Sequence, residues 1–355
     1  MFASIPAPIM IAAMQIFFPR ETEPGEPRCP IVPDNAAKLV KLGAEIVVES
    51  GIGESIGVSD EKYEQAGAGV TGDRASALGA ADMVMRLRKP PVDEVPQLKR
   101  DALHVSYLDP FNERELVEQL AKAGTSAFSI EMIPRSTIAQ KMDALSSQAN
   151  LAGYFAMILA AERLDRVIPM MMTPSGTLSP ARVFVIGAGV AGLQAIATAR
   201  RLGARVEAFD TRPVVEEQVA SLGAKFVKVD LGDTGQTTQG YARELSAEQL
   251  DKQREAMARH CASADIVITT AQVFGRKAPR IVTAEMLGGM KPGAVVVDMA
   301  VESGGNVEGS RLGEEVASDG VRIIGLANLP GHVAADASQM YSSNLYNFLE
   351  HFWDK

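Results

Sequence analysis

Residues 181–192 read Ala181-Arg182-Val183-Phe184-Val185-Ile186-Gly187-Ala188-Gly189-Val190-Ala191-Gly192, an apolar run that ends in three glycines spaced G-x-G-x-x-G. β-Branched and aromatic side chains in so short a run predict a buried strand, and the residues after it carry helical spacing over 190–202. In that setting each glycine has a task. Gly187 makes the tight turn, Gly189 lets a phosphate approach the backbone, and Gly192 lets the helix lie close to the strand. The helix amino terminus at Val190 then faces the negative charge. A second strand over 205–209 ends in Asp210, at the position where a carboxylate accepts hydrogen bonds from an adenosine ribose. The same carboxylate repels a 2′-phosphate, which favours NAD over NADP; Arg212, two residues on, is the nearby cation that could argue otherwise. A bare glycine triplet often serves only a turn, so the weight lies in the order strand, glycines, helix, strand, acid.

Outward from this unit, short apolar runs alternate with helical periodicity, the pattern of parallel sheets covered by helices. Strands are expected at 265–269, 294–298 and 321–324, with Thr269, Thr270 and Ala271 at a carboxyl end that would face a cofactor. In the first half the expected strands are 14–18, 45–49, 83–86, 103–107 and 126–130. Helices over 35–42 and 113–123 each stop at a glycine, Gly43 and Gly124. A long helix over 142–164 should bridge the halves. A last helix over 335–352 places Tyr341, Leu345, Phe348 and Phe352 on one stripe, and it is expected to return to the first sheet. The predicted fold is therefore α/β: two doubly wound parallel-sheet domains with a cleft between them, the second a Rossmann domain. Residues 14–138 plus 330–355 form a discontinuous first domain, 148–329 form the second, and 1–13 are a poorly ordered leader.

A chain of 355 residues is long enough to split into two cores, and 46% hydrophobic with 22% charged residues is a globular composition. The net charge of −9 offers no footprint for nucleic acid. Cys29 and Cys261 stand alone, without metal-ligand or disulfide spacing, which suits a reducing cytoplasm and implies no metal site. The apolar amino terminus is about half the length of a membrane span, contains Pro6 and Pro8, and lacks a basic start, so it reads as neither anchor nor secretion signal.

The stretch from Pro134 to Asn150 is unusually polar for the entrance to a bridging helix. Arg135, Gln140, Asp143 and Ser146 offer an anion clamp, an amide, a carboxylate and a hydroxyl, a set able to hold a nicotinamide carboxamide and its ribose. Where the stretch is helical, Asp143 and Ser146 share a face. On the residues alone, a capping and solvated surface segment explains them equally well.

That stretch with Leu151-Ala152-Gly153-Tyr154, Met170-Met171-Met172-Thr173, Gly189 through Ala199, Ala208-Phe209-Asp210-Thr211-Arg212-Pro213, Gly240-Tyr241-Ala242, Gly304-Gly305-Asn306 and Ala335-Asp336-Ala337-Ser338 resembles the NAD(H)-binding component of proton-translocating transhydrogenase. The likeness runs from residue 14 to the end. It implies that Arg135, Gln140, Asp143 and Ser146 orient the nicotinamide ring. Gly187, Gly189, Val190, Gly192, Asp210, Thr211 and Arg212 would hold the rest of NAD. Gly240 and Tyr241 match a mobile loop that closes over the nucleotide, although the polar residues 230–239 on their own say only surface loop. The resemblance further implies direct hydride transfer to NADP on a partner subunit, proton translocation by membrane-spanning partner subunits, a homodimer, and a place in the cytoplasm peripheral to the inner membrane. No run of about 20 apolar residues occurs in the sequence, so the channel and the NADP site would belong to other chains.

Two other classes compete. Alanine dehydrogenase resembles this chain around Pro19-Arg20-Glu21 and Arg28, yet it needs a histidine acid/base and a lysine; the matching positions hold Asp109 and Arg88. His104 falls in an apolar strand and reads as a satisfied core residue, while His260, His332 and His351 show no partner spacing. A non-catalytic NAD(H) sensor would keep the glycines and Asp210 but would have no use for Arg135, Gln140 and Asp143 together.

Overall fold

The computed structural model describes residues 14–229, 246–272 and 275–353. The chain divides into two compact units: unit 1 up to Ala144 and again from Ala334, and unit 2 from Leu145 to Val333.

Unit 1 is built on six strands, β1 (Gln15–Phe18), β2 (Glu45–Glu49), β3 (Gly69–Thr71), β4 (Met83–Met85), β5 (Leu103–Ser106) and β6 (Ser126–Ser129), in the order β3-β2-β1-β4-β5-β6 and all parallel. Alternation along β1 feeds both faces. Ile16 and Phe18 enter a cluster with α1 (Pro33–Leu42), while Phe17 points into the opposite cluster, against α3 (Arg74–Ala80) and α4 (Arg114–Ala123). A short α2 (Asp60–Gln65) precedes β3. α1 and α4 both end at glycines in the left-handed region, Gly43 and Gly124.

After α5 (Ala144–Arg163) and an exposed two-stranded hairpin, β7 (Met171–Thr173) with β8 (Gly176–Leu178), unit 2 forms a seven-stranded sheet. Its strands are β9 (Arg182–Ile186), β10 (Arg205–Phe209), β11 (Lys225–Phe226), β12 (Ile266–Thr269), β13 (Val295–Asp298), β14 (Glu314–Ser318) and β15 (Val321–Gly325), ordered β11-β10-β9-β12-β13-β15-β14. Among these, β14 is the antiparallel edge. Val183 and Val185 pack toward α5 and α6 (Val190–Arg201); Phe184 and Ile186 pack toward α8 (Ala247–Ser263) and α9 (Ala284–Gly288). A small α7 (Glu216–Ser221) leads into β11.

The last helix, α10 (Ala334–Phe352), buries Tyr341, Leu345 and Phe348 with the first cluster of unit 1. Phe352 departs from the expected stripe. It is 67% exposed, with its ring edge-on to that of Phe348 at 5.3 Å. The leader 1–13, the segment 230–239, and Gly240 and Tyr241 lie outside the described residues. Among the described residues no helix is long and apolar enough to cross a membrane, and no group of three metal-binding side chains comes together.

Candidate functional site

In unit 2 the strand order reverses between β9 and β12, and the carboxyl ends of those two strands are where a doubly wound sheet places its ligand. Gly187 leaves β9 with φ +99°, and a Cβ there would stand 2.5 Å from Thr270 Oγ1, so the turn admits no side chain. Gly192 is bound by proximity instead: a Cβ would collide with the Gly187 carbonyl oxygen. Gly189 differs, having extended backbone and nothing nearer to a Cβ than Arg212 Nη2 at 3.9 Å. A Cβ on Gly189 would therefore meet open space at the amino end of α6, where Val190 begins the helix.

Asp210 follows β10 and closes the loop. Its Oδ2 accepts from the Ala188 amide at 2.7 Å and from Arg212 Nη2 at 2.9 Å; its Oδ1 accepts from Arg212 N and Nε, each at 2.9 Å. The carboxylate and guanidinium are both largely enclosed, with side-chain exposures of 6% and 15%. Its hydrogen bonds to the Asp210 carboxylate push the Arg212 guanidinium above its ordinary pKa. All four acceptor positions of Asp210 are thus engaged. In the sequence Asp210 and Arg212 stand as opposing signals for and against NAD; in the fold they are one ion pair. Thr211 lies between the two.

Across the switch point, Thr270 Oγ1 donates to the Gly187 carbonyl at 3.0 Å, which fixes the glycine turn from the β12 side. Asn306 holds the next residue at both ends, its Oδ1 accepting from Ala271 N at 3.0 Å and its Nδ2 donating to Ala271 O at 2.8 Å. Asn306 is itself placed by Asp298, whose buried Oδ1 accepts the Asn306 amide at 3.1 Å. Sequence reasoning missed Asp298 as a scaffold residue. Its signal was a charged residue closing the apolar strand Val295–Asp298, where a lone buried acid needs several donors.

In unit 1, Arg135 and Asp143 come together as an ion pair, Nε to Oδ2 at 3.7 Å. The turn between them, Ala139–Met142, is a single 3-10 turn, and Gln140 is exposed on it. Met142 is the anchor, 3% exposed in the first cluster. α10 clamps the same turn from below: Asn344 Nδ2 and Asn347 Nδ2 donate to the Lys141 carbonyl at 3.0 and 3.2 Å. Two asparagines on a distant helix gave no sequence signal for this task. Asp143 and Ser146 do not share a helix face as expected. Asp143 caps the 3-10 turn with ψ 87°, outside helical space, and Ser146 lies in the first turn of α5, in unit 2.

The carboxyl end of the unit 1 sheet is crowded with buried charge. Glu26, whose side chain is 1% exposed, pairs with Arg28 Nη2 at 2.6 Å and with Arg88 Nε at 2.7 Å. Glu21 accepts from the Leu87 and Arg88 amides at 2.6 and 3.2 Å, and its burial raises its pKa to about 7. Asp109 is tied to Asn112 at 2.9 and 3.0 Å. His104 is fully buried, with Nε2 3.1 Å from Ser106 Oγ and Nδ1 lacking a partner among the described residues, so it is a half-satisfied core residue; burial holds it neutral, its pKa well below the ordinary value.

Two doubly wound units, one carrying a glycine turn, a helix amino terminus and an acid at its switch point, define a Rossmann-like α/β protein of the nucleotide-binding class. The chain belongs to the alanine dehydrogenase/PNT family, whose N-terminal domain model matches residues 17–152 and whose C-terminal domain model matches residues 156–355. It is 46% identical over 349 residues to the first part of the NAD(P) transhydrogenase alpha subunit of Rhodospirillum rubrum, covering 96% of this chain and 91% of that one. The solved structure of transhydrogenase from Sinorhizobium meliloti is 46% identical, with a TM-score of 0.85 and coverage of 95% of this chain and 94% of that one. An L-alanine dehydrogenase structure is more distant, 26% identical with a TM-score of 0.78, covering 95% and 89%.

Proposed function

We propose that this chain is the NAD(H)-binding component of a proton-translocating transhydrogenase, passing a hydride directly to NADP held on a partner subunit. One observation carries the choice over an alanine dehydrogenase. Arg88 stands where that enzyme needs its lysine and is ion-paired to buried Glu26, while Asp109 stands where it needs its histidine and is bonded to Asn112. Oxo-acid reduction has to protonate a substrate atom. Hydride transfer between two nicotinamide rings makes and consumes no substrate hydroxyl and needs no such acid.

The residues fit NAD. Gly187, Gly189, Val190 and Gly192 would take its pyrophosphate, and Asp210, with Thr211 and Arg212, its adenosine. Arg135, Gln140, Asp143 and Ser146 would orient the nicotinamide, with α10 keeping the Lys141 backbone in place. The bound dinucleotide supplies the hydride. The protein's share is proximity and orientation, which amount to roughly 7–11 kcal/mol of barrier in well-aligned intramolecular reactions. The polar turn at 135–143 favours this over a sensor without chemistry. The membrane-spanning partner subunits would conduct the protons, leaving this chain peripheral to the inner membrane. A homodimer is supported by the hairpin β7–β8, where the register partners Met171 and Leu178 share one face and are 43% and 51% exposed, an apolar surface suited to a second copy.

Calorimetric titration with NADH and NADPH tests the cofactor assignment: NADH should bind the more tightly, and a preference for NADPH overturns it. Turnover of pyruvate, ammonium and NADH by the chain alone would instead restore the dehydrogenase reading.

A further inference from the structure

The amino ends of the unit 2 strands, away from the glycine turn, carry a cavity of about 180 Å³ lined by Arg182, Phe184, Arg205, Glu207, His260 and Ser263. Arg182 and Arg205 are register partners on adjacent parallel strands, β9 and β10. Both lie on the face that Phe184 and Phe209 present to α8. Neighbouring strands run about 4.8 Å apart, so two guanidinium groups rise side by side from the same edge. Like charges in that arrangement repel. Among the described residues neither guanidinium has a hydrogen-bond or ion-pair partner.

The acid beside them does not serve them. Glu207 is engaged by His260 Nδ1 at 2.8 Å and Lys225 Nζ at 3.3 Å. Burial raises its carboxyl pKa, and these two bonds outweigh burial to hold it below its ordinary value. The carboxyl end of α8, with His260 and Ser263, favours positive charge at this spot, which helps explain why cations collect here in a chain of net charge −9. A helix dipole gives the two forks no directional acceptor, however. Ten N–H donors in all remain unanswered by protein.

We infer that Arg182 and Arg205 form a binding site for a phosphate group, remote from the nucleotide and on the opposite edge of the same sheet. A carboxylate satisfies one guanidinium fork, whereas a tetrahedral phosphate presents enough oxygens for both. The cavity volume limits the ligand. At roughly 30 Å³ per water it holds about six waters, room for phosphate or a small phosphate monoester, and it falls short of the roughly 300 Å³ at which pockets for larger ligands begin.

The test is calorimetric titration of the full chain, saturated with NADH and held at constant ionic strength, with inorganic phosphate and separately with glycerol phosphate. Phosphate should bind, Arg182→Gln or Arg205→Gln should each weaken it by roughly tenfold, and the double variant should lose it while binding NADH as before. Tighter binding of glycerol phosphate would assign the ligand to the monoesters; tighter binding of inorganic phosphate would assign it to the free ion. Absence of phosphate binding in the unmodified protein overturns the inference. So does undiminished binding in the folded double variant, or binding that appears only when NADH is left out, since the anion would then be seated at the glycine turn.

Discussion

Removal of the Asp210 carboxylate probes the loop where its parts converge. In Asp210→Ala the Ala188 amide and three Arg212 donors lose their acceptor. Deleting one partner of a fully buried ion pair costs roughly 3–5 kcal/mol, and because Arg212, 15% exposed, can turn toward water, the cost here falls below that range, at about 2–3 kcal/mol. For a domain of roughly 150–250 residues each kcal/mol moves the melting point by roughly 2–4 °C, so a drop of about 4–12 °C is expected. The released guanidinium becomes a donor for a 2′-phosphate. A hydrogen bond to a charged group contributes roughly 1.5–3 kcal/mol, which is about 10–100-fold in affinity. Calorimetry should therefore show NADH binding weakened, NADPH binding strengthened, and the preference for NADH reduced by about that factor. Arg212→Ala should do the reverse, exposing the carboxylate and sharpening the discrimination. If Asp210→Ala leaves the ratio of the two affinities unchanged, the pair does not read the 2′ position and the reasoning fails.

The second and third glycines should separate folding from binding. Gly192→Ala drives a Cβ into the Gly187 carbonyl and should lower both melting temperature and nucleotide affinity, whereas Gly189→Ala meets open space and should melt normally while binding at least tenfold more weakly; normal binding by Gly189→Ala would place the pyrophosphate elsewhere. Arg135→Ala and Asp143→Asn should slow single-turnover hydride transfer far more than they weaken NADH binding, and equal losses in both would contradict an orienting role. Glu21 gives a pH signature. Its folded pKa of about 7 lies above the unfolded value near 4.5, so its stabilising contribution is complete below pH 4.5 and is lost as pH rises through 7, a span of about 3 kcal/mol. Urea unfolding between pH 5 and 8 should show that decline, and Glu21→Gln should flatten it; an unaltered slope in the variant would place the titration elsewhere.

What the sequence revealed and concealed follows from where the physical signal is local. The glycine turn was legible because steric demands at Gly187 and Gly192 leave no other residue, and the α/β order was legible because central strands buried on both faces, such as Ile266–Thr269 and Val295–Asp298, must be almost wholly apolar. β3 and β11 were missed: three and two residues at sheet edges carry no periodicity. The antiparallel β14 was missed because its exposed face is charged, as a protected edge should be. Side-chain partnerships escaped for a different reason. Nothing in the spacing of Asp210 and Arg212 distinguishes two independent charges from one ion pair. The asparagines of α10 that hold the Lys141 carbonyl lie some two hundred positions away in the chain. Arg135 and Gln140 were recognisable as candidates, and their anchoring through Met142 was not, since a single methionine in a polar stretch looks like chance.

The central claim is that hydride passes straight from one nicotinamide to another with this chain holding the donor. NADH carrying deuterium on the transferred face of C4 can be mixed with this chain, the proposed NADP-binding partner subunit and NADP, and the label followed by NMR or mass spectrometry. The account predicts that the deuterium is recovered in NADPH without dilution by solvent protons. Deuterium lost to water would mean that the hydride does not travel ring to ring, and the mechanism would be wrong.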